Sequence, residues 1–155
     1  MAIIGIDGGV GGGIARLKGG YAEAWPLKLW AGRLKDVVSP GDLVVIEAAS
    51  QVFGSSSGPM RAPFAYVWSV AHAAGYCEGL GAAVHLVPVQ RWQKVMYMGV
   101  EAEGKERSLI AARKTFPLVN LKAGPKCRKD HDGMADALLI AHYGRLFLAS
   151  GDKAG

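Results

Sequence analysis

Short, uninterrupted apolar runs dominate the first half of the chain and predict buried strands. The runs Ile3–Asp7 and 43–47 each end on an acidic residue, and neither has helical periodicity. Such runs are typical of central strands that are covered on both faces. Between them, residues 11–17 and 21–25 flank a Gly-Gly turn. This spacing predicts a β-hairpin.

Helical periodicity appears in the second half of the chain. Apolar residues recur at 3- and 4-residue spacing over about residues 60–79 and predict a helix. Its packed face is expected to contain Phe64, Val67, Trp68, Ala71 and Gly75. The elements that follow are a strand at 84–87, a short helix beginning at Pro88, an amphipathic helix at 105–116, a basic loop at 120–129 and a final helix at 132–148. This order predicts an α/β fold with one mixed central sheet of about five strands, flanked by helices.

Length, composition and charge narrow the class of protein. The 155 residues are expected to form a single domain over 1–149, with a flexible C-terminal tail at 150–155. Half of the residues are hydrophobic and a fifth are charged, as in globular proteins. The net charge of +5 favours a polyanionic partner without identifying one. Apolar runs fall short of the ~20 residues of a membrane span, and Cys77 and Cys127 have no secretory pattern, so a cytoplasmic protein is expected.

Four acidic residues occupy positions that bring them toward one site. Asp7 and Glu47 end the two apolar strands, and Asp132 and Asp136 lie four residues apart on one helix face. The neighbours of Asp136 are apolar nearly all round, so its buried carboxylate needs a cation. Oxygen-only ligands suit Mg²⁺ or Mn²⁺ rather than zinc, and no Cys/His pair has zinc spacing. The acids therefore predict a divalent-metal site for phosphoryl chemistry, as in a nuclease.

Several of these positions are also compatible with simpler or different roles. Asp7 and the glycines at 8–13 can form a simple turn cap, or the phosphate-binding turn of sugar kinases and actin-like ATPases, although those folds need two lobes and a longer chain. Asp132, which precedes Gly133 at a helix start, can be an ordinary N-cap. A P-loop-like segment at 99–105 is rejected, because Glu106 stands where Ser or Thr should bind magnesium.

Histidine, basic and aromatic residues supply secondary candidates. His131 lies beside the acidic pair and is a candidate auxiliary residue. Lys105 and Arg107 are expected to form a solvated helix face, from which they can also reach phosphates. The tryptophans are expected in the core or at an interface rather than as base-stacking platforms: Trp25, Trp30, Trp68 and Trp92.

Four segments, in order and over nearly the whole chain, carry a family resemblance. They are IGIDGG at 4–9, VIE at 45–47 with QVF at 51–53, VPVQRWQK at 87–94 and DGMADALLIA at 132–141. With them the chain resembles the RuvC-type Holliday junction resolvases of the RNase H-like superfamily, in particular their bacteriophage branch. Two features depart from the family pattern: Gly8 stands where Pro is usual, and the last two acids are spaced by four rather than three. The spacing leaves open whether Asp132 or His131 is the partner of Asp136.

The resemblance implies an RNase H-like fold and a crossover junction endodeoxyribonuclease. Such an enzyme acts as a homodimer on branched DNA, especially four-way junctions, and makes paired symmetric nicks. Two Mg²⁺ ions, with Mn²⁺ able to substitute, would be held by Asp7, Glu47, Asp132 and Asp136, with Asp7 bridging both. DNA contacts are expected from the loop after Glu47 and from basic positions, namely Gln51, Phe53, Phe64, Lys105, Lys126, Arg128 and Lys129. If the protein is phage-encoded, it would act in the cytoplasm of a bacterial host.

Two alternatives use the same residues. An RNase H-type or broader branched-DNA nuclease would have the same acids and a different substrate. A catalytically inactive junction-binding protein would keep the fold without the chemistry. The presence of all four acids favours a nuclease over an inactive binder.

Overall fold

The computed structural model describes residues 1–27, 33–48 and 61–149, in which a mixed five-stranded sheet carries helices on both faces. The strands are β1 (Ile3–Asp7), β2 (Gly13–Lys18), β3 (Tyr21–Pro26), β4 (Leu43–Ala48) and β5 (Ala83–Pro88). The helices are α1 (Arg33–Val37), α2 (Arg61–Gly79), α3 (Val89–Met96), α4 (Gly104–Thr115) and α5 (Asp132–Phe147). The predicted α/β fold is confirmed, although α1 was not foreseen. No helix in these ranges is long and apolar enough to cross a membrane.

The strand order β3-β2-β1-β4-β5 places β1 at the centre of the sheet. Strands β1, β2 and β3 pair antiparallel, which confirms the predicted hairpin, whereas β4 and β5 add in parallel. Because β1 and β4 are parallel neighbours, with Ile6 opposite Ile46, their carboxyl ends lie side by side. The sheet therefore brings Asp7 and Glu47 to the same edge.

Alternate residues of the central strands pack into two cores, as the two-residue period of a strand requires. Ile3 and Val45 contribute to the core that contains α5, α3 and α4. Ile4 and Ile46 contribute to the core on the other face, with α1 and α2. The central strands are thus covered on both faces, as their continuous apolar sequences predict.

Glycines allow α5 to lie against the sheet at backbone distance. A Cβ at Gly5 would collide with the backbone of Ala137 and Ala141 in α5. Farther along, a Cβ at Gly13 would collide with the backbone of Gly133, and Gly12 forms a bridge with the same residue. Because no side chain separates the two backbones, the start of α5 is fixed beside the end of β1.

The predicted packed face of α2 is wrong. Phe64 is 69% exposed and Trp68 is 54% exposed, Ala71 and Gly75 are exposed as well, and Val67 is partly buried. The face against the sheet instead consists of Ser69, Val70, Ala73 and Cys77. The largest apolar residues were assumed to pack inward, but small residues occupy the inward positions, where the helix approaches the sheet. The large aromatic side chains are left on the outer surface.

Candidate active site

The four predicted acids come from three elements that meet at the carboxyl edge of β1 and β4. Asp7 is the last residue of β1, Glu47 lies near the end of β4, and Asp132 and Asp136 are one turn apart in α5. The bridge between Gly12 and Gly133 holds the first turn of α5 beside Asp7. Asp7 is close enough to feel the charges of the other three carboxylates. The structure therefore assembles the acids into one electrostatic cluster.

Burial and mutual repulsion make two of these carboxylates difficult to ionise. Burial and, after it, the charge of Asp136 raise the pKa of Asp7 from 3.8 to about 7, although a hydrogen bond from the Gly9 amide opposes the change. Burial and the charge of Glu47 raise the pKa of Asp136 to about 6, although a hydrogen bond from Ser108 opposes the change. The cluster thus carries more negative charge than its surroundings neutralise.

Asp132 has a different environment. Its Oδ2 accepts from Lys105 Nζ at 2.7 Å. Partial burial raises the pKa of Asp132, but the hydrogen bond from Lys105, a backbone hydrogen bond and the positive charge of Lys105 act against burial, and the net pKa is lowered. The same bond raises the pKa of Lys105. Lys105, predicted to contact DNA, is thus paired with a site acid at the rim of the cluster.

Two pairs of uncharged donors hold the other acids in place. The Tyr66 hydroxyl donates to Glu47 Oε1 at 3.0 Å, and the Trp92 indole donates to Oε2 at 2.9 Å. The Ser108 hydroxyl donates to Asp136 Oδ1 at 2.5 Å, and the Tyr97 hydroxyl donates to the same oxygen at 3.2 Å. Burial and the adjacent carboxylates raise the pKa of both tyrosines, which keeps them protonated as donors.

Sequence reasoning missed all four of these donors, which we call the donor set: Tyr66, Trp92, Tyr97 and Ser108. Trp92 was expected to be core, and it is fully buried, but its indole nitrogen also serves Glu47. The sequence did indicate that these residues would be hydrogen-bonded if buried, because buried hydroxyl and indole groups almost always have a hydrogen-bond partner. The identity of that partner was not readable, since each pair is separated by 19 to 45 residues.

The acids fit a divalent cation by their chemistry. Within 1–27, 33–48 and 61–149, no three His, Cys, Asp or Glu side chains converge with metal-binding geometry. Glu47 and Asp136 are hydrogen-bonded to the donor set, and Asp132 is paired with Lys105. The donor atoms are nevertheless all carboxylate oxygens, which hard cations prefer. The pKa of Asp7 is raised because burial and the neighbouring carboxylates oppose its ionisation, and a bound cation would offset that opposition.

His131, not Asp132, is the N-cap of α5. Its Nδ1 accepts from the backbone amide of Met134 at 3.2 Å, so the alternative interpretation of Asp132 as the cap is wrong. Asp132 instead occupies the first turn, where the helix dipole favours a negative charge. The hydrogen bond gives His131 a structural role and leaves its auxiliary role in chemistry a prediction.

The predicted DNA contacts fall in different places. Gln51 and Phe53 lie outside the described residues, as do Trp30 and the tail at 150–155. Phe64 is exposed on α2 and stacks against Trp68, with 6.4 Å between ring centroids. The remaining basic candidates, Lys126, Arg128 and Lys129, are exposed in the loop between α4 and α5. Their role in DNA binding remains a prediction.

A cleft of about 430 Å³ opens beside the acids. It is lined by Gln93, Tyr97, Gly104, Lys105, Arg107, Ser108, Asp132 and Asp136. Arg107 was expected on a solvated helix face together with Lys105. It is instead partly buried, with its guanidinium 5.0 Å from the centre of the Tyr97 ring. The cleft therefore presents two cations and two carboxylates to whatever enters it.

The fold is that of the RuvC-like, RNase H-like α/β proteins. RuvC of Thermus thermophilus is 18% identical to this chain, the alignment covers 97% of each of the two chains, and the TM-score is 0.51. T. thermophilus RuvC in complex with a Holliday junction substrate is 15% identical, covers 95% of this chain and 97% of that chain, and gives the same TM-score. No protein-family model and no curated protein matches the sequence.

Proposed function

We propose that the chain is a divalent-metal-dependent endodeoxyribonuclease that cuts branched DNA, with four-way junctions as its main substrate. The observation that carries the proposal is the cluster of Asp7, Glu47 and Asp136, whose charges oppose one another at the carboxyl edge of the sheet. Such a cluster is costly unless a cation occupies it. The RuvC-like fold supports the same assignment, because a protein with this fold has been solved with a Holliday junction substrate.

The chemistry assigned to the site is phosphodiester hydrolysis. Two Mg²⁺ ions, when bound, would neutralise charge at the scissile phosphate and acidify the attacking water. Asp7, Glu47 and Asp136 are the residues that would hold them, with Asp132 completing the set. The donor set would keep Glu47 and Asp136 aimed at the site, and Lys105 would exchange Asp132 for a substrate phosphate.

Symmetric cutting of a four-way junction requires two active sites, so we assign a homodimer. The outer face of α2 is the interface that we favour, because it exposes Phe64 and Trp68, which stack, and Tyr76, which is 38% exposed. An apolar, aromatic surface of this kind is typical of interface cores. The net charge of +5 and the exposed basic loop before α5 would supply attraction to the DNA backbone.

The proposal is tested by incubating the protein with a synthetic four-way junction in Mg²⁺ or Mn²⁺, with Asp7→Asn as the inactive control. The expected result is paired nicks in strands of like polarity, lost in Asp7→Asn and in EDTA. Binding without cutting in either metal would leave a junction-binding protein instead of a nuclease. Cutting of RNA–DNA hybrids with junctions left intact would establish the RNase H-type alternative.

A further inference from the structure

We infer that Arg107 is a substrate-contacting residue, held by Tyr97 so that its guanidinium binds a DNA phosphate in the cleft beside the acids. This inference rests on the proposed function for the identity of its ligand. The residue lies outside the acid cluster and outside the donor set. The assignment concerns the phosphate oxygens alone and requires no bound metal.

The guanidinium of Arg107 is fixed in position but incompletely bonded. It lies over the Tyr97 ring at 5.0 Å, which is within the range of a cation–π contact. One of its terminal nitrogens donates to the Tyr97 carbonyl over a long 3.4 Å. Its Nε is buried and has no acceptor in the part of the chain that the structure describes. A donor without a partner is costly, and because Arg107 lines the cleft, an acceptor that enters the cleft would complete the bonding of its guanidinium.

The nearby acids do not satisfy this donor. Asp132 shares the cleft with Arg107 but pairs with Lys105, and Asp136 Oδ1 accepts from Ser108 and Tyr97. The ion pairs formed within the described ranges are Arg16–Glu23, Lys105–Asp132 and Arg113–Asp130. Arg107 thus forms no ion pair within the described ranges, and it lies in a cleft where an incoming phosphate would meet two carboxylates. A cation at this position offsets that repulsion.

The geometry favours a phosphate over other oxygen ligands. Arginine presents planar, paired N–H groups that match two oxygens of a phosphate, and stacking on an aromatic ring fixes the plane. Tyr97 therefore has two functions in one side chain: its hydroxyl donates to Asp136, and its ring orients Arg107. Through Tyr97, the direction in which Arg107 contacts a phosphate depends on the position of Asp136.

The first experiment measures binding of a synthetic four-way junction in EDTA for wild type, Arg107→Gln and Arg107→Lys. Arg113→Gln is the matched control, because Arg113 lies on the same helix but is exposed and paired with Asp130. Arg107→Gln is expected to raise Kd about tenfold, as for removal of a charged hydrogen bond. It should also reduce the slope of log K against log salt by about 0.9 for each phosphate that is no longer neutralised. An unchanged Kd and slope would overturn the inference.

The second experiment separates a phosphate contact from a purely structural role. Junctions carrying a single neutral methylphosphonate at successive positions around the branch are bound by wild type and Arg107→Gln. If Arg107 contacts one phosphate, the penalty of Arg107→Gln disappears at that position and persists at the others. A penalty that is equal on every junction would identify a structural residue and refute the contact.

Two further controls complete the design. Thermal unfolding in EDTA reports whether Arg107→Gln folds; if it does not, the methylphosphonate comparison is made with Arg107→Lys, which keeps the charge and removes the paired N–H groups. Cleavage by wild type in Mg²⁺ or Mn²⁺ is measured in parallel. Position-dependent coupling without any cleavage would sustain the phosphate contact while the proposed nuclease function fails.

Discussion

Replacing Asp7 with asparagine is expected to stabilise the protein in the absence of metal while abolishing cleavage. Burial and the neighbouring acids raise the pKa of Asp7 from 3.8 to about 7, so the folded chain holds this proton more tightly than the unfolded chain does. The resulting contribution to stability is fully present below about pH 4 and is lost as the pH rises to about 7. At 1.36 kcal/mol per pKa unit, the loss amounts to about 4 kcal/mol.

Asparagine avoids this loss because it is neutral at every pH, and its side-chain oxygen can still accept from the Gly9 amide, as Asp7 does at 3.3 Å. In EDTA at about pH 8, Asp7→Asn should therefore raise Tm by roughly 10 °C for a chain of this size. Near pH 4 the difference between the two proteins should vanish. The exposed Asp36→Asn on α1 serves as the control and should leave Tm unchanged at both values.

The measurement is thermal unfolding followed by circular dichroism across this pH range. Equal Tm values for wild type and Asp7→Asn at about pH 8, or a difference that persists on acidification, would refute the electrostatic argument. Addition of Mg²⁺ or Mn²⁺ supplies a further check, because wild type should gain Tm with metal concentration and Asp7→Asn should gain much less. The variant would then be the more stable protein only without metal.

Three other substitutions test separate parts of the structure. Ser108→Ala removes a hydrogen bond that lowers the pKa of Asp136, so the rising limb of the pH–cleavage profile should move to higher pH; an unmoved profile would contradict this role. Trp68→Glu should convert a dimer to a monomer in light scattering, whereas Tyr21→Glu, at a more exposed aromatic position, should not; a persistent dimer would place the interface elsewhere. His131→Ala should lower the unfolding free energy by about 1 kcal/mol through loss of the helix cap, and His131→Asn should restore most of it; denaturant unfolding measures both.

The central strands and their acids could be predicted from the sequence because both depend on local patterns. Continuous apolar runs identify strands that are buried on both faces. An acid at the end of such a run lies at the sheet edge, and the parallel pairing of β1 with β4 then brings Asp7 and Glu47 together. The four-residue spacing in α5 gave the remaining pair. To predict these features, one needs only the periodicity of a helix or strand and the residue at which it ends.

The surroundings of the acids could not be predicted, because they depend on contacts between distant parts of the chain. Trp92 reaches Glu47 across 45 positions, and Ser108 reaches Asp136 across 28. The orientation of α2 was also predicted wrongly, because hydrophobicity alone places Trp68 on the buried face, whereas Ala73 is the buried residue and Trp68 is exposed. Close helix–sheet packing favours small residues, and that constraint becomes visible only when the partner surface is known.

The backbone contact between α5 and the glycines of the sheet has a consequence for how this scaffold can change. The separation between the backbones that carry Asp7 and the acids of α5 is set by main-chain atoms at Gly13 and Gly133, so no change of side-chain rotamer can adjust that backbone separation. Substitution of these glycines would disrupt the acid cluster as a whole instead of adjusting it. The donor set, by contrast, consists of side chains that can be exchanged one at a time. In a directed-evolution experiment for new substrate preferences, we therefore expect the tolerated substitutions to lie in α2, α3 and α4, and the glycines at 12, 13 and 133 to stay unchanged.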